Sequence, residues 1–91
     1  MNKPRIGEVV HYVLHDGPNQ GKHRPAIVVE NEGETLCVQV FANGSRNHGD
    51  EAPNVFWRHS VRQDAKGQIP GTWHHPEGAT HASSLDNNLV G

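Results

Sequence analysis

Cysteine is nearly absent from this 91-residue chain: Cys37 stands alone, and one thiol cannot make an intrachain disulfide. A small secreted domain usually needs such staples, so a cytoplasmic location is expected. Long apolar runs are missing too. None approaches the roughly 18 residues that a membrane-spanning helix needs. The opening MNKPRIGE has no apolar stretch behind its basic residues, so no secretory signal is expected there. Positive charge is not in excess either. Eight Lys+Arg face ten Asp+Glu, for a formal net charge of −2. That balance speaks against a nucleic-acid binder, whose affinity rests on neutralising phosphates. Only 33% of residues are apolar, so the core must be small and the domain single. A chain of this size buries a little over ~60% of its unfolded surface. Association of subunits is expected to supplement so small a core.

Catalytic signatures are missing as well. The chain has no HExxH, CxxC, GxSxG, P-loop or GxGxxG. Cys37 lies between Leu36 and Val38 in a run expected to be buried, where a thiol without a cationic neighbour is inert. Ser60 follows His59, but sequence neighbours in a strand face apart. The expectation is a protein that is not an enzyme and carries no cofactor.

Turn residues and short β-rich runs are what the chain does contain. Ten Gly and six Pro punctuate it, below the density that marks low complexity. β-branched and aromatic residues concentrate at 8–14, at 26–30 behind Pro25, at 35–41, at 55–61 and at 72–75. In the first run Val10, Tyr12 and Leu14 share one face, and Val9, His11 and Val13 the other. Ala26-Ile27-Val28-Val29 is continuously apolar, which predicts a strand covered on both sides. Leu36, Val38 and Val40 share a face of the third run. Polar loops fill 15–24, 42–54 and 62–71. No amphipathic helix and no internal repeat are apparent. The pattern predicts an all-β fold, a small SH3-like or OB-like five-stranded barrel over residues 1–77. Residues 78–91 read as a flexible or partner-ordered tail.

Several strings form a combined signature: Gly7 to Leu14 (GEVVHYVL), Arg24 to Val29 (RPAIVV), Trp57 to Val61 (WRHSV) and Gly71 to Glu77 (GTWHHPE). In these the chain resembles a family of small phage, prophage and actinobacterial proteins with a VHYV opening, an R-P-A-I-V strand and a GTWHWPE ending. The resemblance covers roughly residues 6–77. It departs at His75, where the family has a second Trp. It implies a small barrel and a phage-type context, and supplies no catalytic residue.

Eight histidines raise the question of metal. His74 and His75 would point to opposite faces of a strand, and His11 and His15 would lie about 13 Å apart along one. A set drawn from several strands, such as His11 with His59 and His74, stays open, but no metal site is expected. Anion binding is the stronger lead. Lys22, His23 and Arg24 form a basic cluster, and Arg58 lies beside Trp57. Trp57 and Trp73 offer stacking surfaces, and His74 and His75 follow Trp73 before a proline. Arg24, Trp57, Arg58, Trp73, His74 and His75 are therefore the expected ligand contacts. The expected function is non-enzymatic capture of a small anionic ligand, such as a nucleotide-derived immune signal, by an anti-defence protein. The alternative is a protein–protein module, a host-factor inhibitor or virion accessory subunit, using an exposed strand edge and the tail.

Overall fold

The computed structural model describes residues 3–45, 49–50 and 54–76. Five strands carry it: β1 (Val9–Val13), β2 (His23–Asn31), β3 (Leu36–Phe41), β4 (Val55–Gln63) and β5 (Thr72–His74). They close into a barrel in the order β1-β2-β3-β4-β5. The fold is all-β, a small five-stranded barrel of the SH3/OB-like kind, and no described residue is helical. Among the described residues, no helix is long and apolar enough to cross a membrane.

Strands β1 to β4 form an antiparallel meander, and β5 closes it by pairing antiparallel to β1 and parallel to β4. Alternation sets the interior. Val10, Tyr12 and Leu14 face inward beside Ala26 and Val28 of β2, and Leu36, Val38 and Val40 line β3. Val61 and Trp73 complete the cluster, with Phe56 packed against it. Because the side-chain period of a strand is two, these choices send His11, Ile27, Cys37 and Trp57 to the outer face.

Two bulges interrupt the strand pairing. On β2, Val28 opposes Val38 while Glu30 opposes Cys37, so one extra residue sits on β2. Val29 shares the outward parity of Ile27 and is 38% exposed. The continuously apolar run is thus covered on one face only. Cys37 is correspondingly half-buried rather than a core residue. Its thiol is pushed up by burial and by the carboxylates of Glu32 and Glu30. On β4, Arg58 opposes Val38 while Val61 opposes Leu36, again one residue in excess. Ser60 absorbs it in the left-handed region with φ 56°, and its N–H donates to Glu32 Oε1 at 3.0 Å. Bends of this kind let a short sheet curl onto itself. The tail expected at 78–91 lies outside the described residues.

Leu36 is among the larger fully buried side chains, at the point where β2, β3 and β4 meet. Leu36→Ala is expected to lower unfolding stability by about 3 kcal/mol. Ile6→Ser, at an exposed position, is expected to stay within about 0.5 kcal/mol of the unmodified chain. Urea denaturation followed by Trp fluorescence measures both.

Candidate functional site

The outer face shared by β1, β2 and β5 gathers three imidazoles. His11 is the register partner of His74 across β1 and β5, and His23 lies two residues along β2 from Pro25, the partner of His11. The same period that buries Tyr12 and Trp73 turns His11 and His74 to the other side of the sheet. Ring centroids are 4.5 Å apart for His23 and His74, 5.6 Å for His11 and His74, and 6.4 Å for His11 and His23. Each ring offers a nitrogen, and the three nitrogens lie within 4.8 Å of one another.

The link between β4 and β5 forms a roof over these rings. Asp64 organises it, accepting the N–H groups of Lys66, Gln68 and Ile69. Those hydrogen bonds hold its carboxyl below the usual carboxylate range. Gly67 sits at the centre of the roof, with φ 67° and its carbonyl 2.9 Å from His23 Nε2. A carbonyl only accepts, so Nε2 is the protonated nitrogen of His23 in this contact. A Cβ on Gly67 would lie 2.8 Å and 3.0 Å from atoms of the His74 ring and 3.1 Å from the His23 ring. The roof therefore reaches the imidazoles because the residue at its centre has no side chain. His74 ends up only 4% exposed.

The six residues expected to form one ligand site are distributed over several environments. Arg24 makes a bidentate pair with Asp50, Nε to Oδ2 at 2.9 Å and Nη2 to Oδ1 at 2.9 Å. Asp50 also accepts from Asn19 Nδ2 at 2.7 Å and from the Asn43 N–H at 2.8 Å. The pair thus clamps the 42–50 loop onto the first loop, and the Arg24 fork is engaged there. Arg58 lies 4.4 Å from the centroid of Phe56, and its Nη1 donates to the Trp57 carbonyl at 3.0 Å. Burial raises the Tyr12 hydroxyl and Arg58 partly offsets this. Trp57 stands on the opposite outer face, 55% exposed, with its ring 5.3 Å from that of His59. Trp73 fills the core at 4% exposure, so its ring is a packing group rather than a stacking platform. His75 is exposed and meets Trp73 edge-on, centroids 5.2 Å apart. His74 alone of the six belongs to the imidazole cluster. The trio His11, His59 and His74 is not assembled either, because His59 lies on β4 beside Trp57 and its place is taken by His23.

One further concavity is present. An open groove of about 470 Å3 is lined by Lys3, Arg5, Glu8, Val9 and His75. Glu8 Oε1 accepts the Arg5 N–H at 2.8 Å, and Lys3 Nζ donates to the Gly33 carbonyl. Lys3 and Arg5 were not singled out from the sequence, because their position beside His75 depends on how the leading segment returns across the barrel. The Gly7 N–H donates to the Val28 carbonyl at 2.7 Å, which fixes that return. For His23 a signal did exist. Once β1 and β2 are read as a hairpin, parity puts His11 and His23 on one face.

The fold defines the chain as a small five-stranded β-barrel protein. No family model, curated protein or solved structure matches the chain.

The Arg24–Asp50 pair generates a pH prediction. Arg24, joined by Asn19 and the Asn43 N–H, holds the Asp50 carboxyl well below the usual carboxylate range despite burial. A carboxyl lowered on folding stabilises fully above its unfolded value, near ~3.9, and that contribution is lost as pH falls below it. Asp50→Asn is expected to cost about 2–3 kcal/mol at neutral pH, because it leaves a largely covered guanidinium unpaired. It is also expected to flatten the acid limb between about pH 4 and pH 2. Urea unfolding at a series of pH values measures both.

Proposed function

We propose that the protein is a non-enzymatic binding module that captures a small phosphate-bearing ligand, in a phage-type setting a nucleotide-derived immune signal. The observation that carries this reading is the groove at Lys3, Arg5, Glu8, Val9 and His75. Lys3 and Arg5 bring two permanent positive charges to it, and Arg5 adds a planar fork suited to phosphate oxygens. Glu8 adds an acceptor, which suits the hydroxyls of a sugar or the N–H groups of a base. Val9 adds an apolar wall at 48% exposure. That mixture fits a nucleotide better than bare phosphate, and the volume lies within the range of small-molecule sites. Of the six expected contacts, His75 belongs to this groove.

Calorimetry against cyclic di- and trinucleotides and ADP-ribose tests the reading. The expected result is one saturable site whose affinity falls with added salt. Arg5→Ala is expected to weaken it at least tenfold, equivalent to about 1.4 kcal/mol. Absence of heat with every member of the panel, for a folded sample, retires the proposal.

A protein–protein reading is favoured by a different observation. Phe41, Val55 and Trp57 are all exposed on neighbouring positions of β3 and β4. An apolar cluster with an exposed Trp is the composition of an interaction hot spot. This surface replaces the strand edge expected from the sequence, because the sheet closes on itself and offers no long free edge. A homo-oligomer would bury it. Native mass spectrometry of the unmodified chain is expected to show multimers that Trp57→Ser reduces to single chains. A single-chain mass for the unmodified protein excludes self-association through this face.

A further inference from the structure

We propose that His11, His23 and His74 form a zinc site on the outer face of the barrel, roofed by the 64–71 link. This goes beyond the groove reading and is independent of it, since none of the three histidines lines that groove.

Three observations carry the proposal. The first is convergence: one nitrogen from each imidazole lies within 4.8 Å of the other two. A tetrahedral zinc with Zn–N bonds of 2.0–2.1 Å would place ligand nitrogens about 3.3 Å apart. Closing the observed spread takes ring movements on the order of 1 Å, within the reach of side-chain rotation. The second is orientation. His23 directs Nε2–H at the Gly67 carbonyl, 2.9 Å away, so its lone pair is on Nδ1. Metal-ligating histidines are held in this manner, with the second ring nitrogen donating to a backbone carbonyl or carboxylate. The third is enclosure. Gly67 brings backbone against the rings where any Cβ would lie 2.8–3.1 Å from His74 and His23. The ligands stand on three different strands, β1, β2 and β5, so the scaffold is rigid.

Packing of aromatic rings is the competing explanation for the cluster. One feature favours metal over it. His11 and His23 are half-buried and accessible at the surface, while the core is filled by other residues. The mutual tilts of 56°, 66° and 83° suit edge-on ring packing and a shared ion alike. Three imidazole nitrogens suit zinc with an open fourth position. A planar set would suit copper(II), and an oxygen set magnesium or calcium. The fourth position falls to water or a small anion.

The test uses the full chain, stripped with chelator and dialysed. Zinc titration by calorimetry is expected to show one site per chain, and cobalt(II) is expected to give the intense visible bands of four-coordinate geometry. His11→Gln and His23→Gln, at half-buried positions where folding is checked by circular dichroism, are each expected to weaken zinc at least tenfold. His15→Gln and His59→Gln are expected to leave it unchanged, which separates this site from adventitious binding to the other histidines. Zinc is expected to raise Tm of the unmodified chain, and magnesium is not. No stoichiometric zinc binding overturns the proposal. So does equal affinity in the His11 and His23 variants, or a loss confined to the His15 or His59 variants.

Discussion

Closure of the barrel by three residues is the constraint on which the other features depend. Thr72, Trp73 and His74 are all buried, and they join β1 on one side to β4 on the other. Trp73 turns inward opposite Tyr12, and His74 turns outward opposite His11. One short strand thereby supplies a large core side chain and a central member of the imidazole cluster. Without it the meander would be an open sheet with two unpaired edges, a poor state for so small a core.

The parallel pairing of β4 and β5 explains the roof. Parallel neighbours usually need a long crossover, because the chain must return the full length of the strand. Here only Arg62 with Thr72 and Gln63 with Trp73 are paired, so the return is brief. The 64–71 link makes it across the outer face. Asp64 stabilises the turn through its backbone hydrogen bonds, and the Asp64 N–H donates to the Trp73 carbonyl. Thr72 Oγ1 donates to the Ile69 carbonyl at 2.6 Å, and the Gly71 N–H to the Val13 carbonyl at 2.8 Å. These bonds tie the roof to β1 and β5 while His23 ties it to β2, so the ring cluster and the closing link form one unit.

A second clamp acts at the far loops. Asp50 gathers Arg24, Asn19 and Asn43 around one carboxylate. Its side chain is 3% exposed, so the pair works in a medium where charge is expensive to leave unmatched. Arg24 thereby anchors a loop, whereas Lys3 and Arg5 bring their charge to the groove. Basic residues of the same type serve different roles because their partners differ.

Strand placement was largely legible in the residues. Alternation of Val10, Tyr12 and Leu14, and of Leu36, Val38 and Val40, identified the sides of β1 and β3 that face the core, since residues two apart share a face. The all-β barrel followed from five such runs separated by turn residues. The bulges on β2 and β4 were not legible, because each depends on register against a neighbour rather than on local propensity. Candidate contacts suffered most from the same cause. Types and periodicity identified Arg24, Arg58, Trp57, Trp73, His74 and His75 as chemically capable. Which of them meet was decided by tertiary structure alone, through the hairpin register that brings His23 beside His11 and the closing strand that adds His74. Proximity between distant strands is a property of pairing geometry, and a single chain of letters carries it only indirectly.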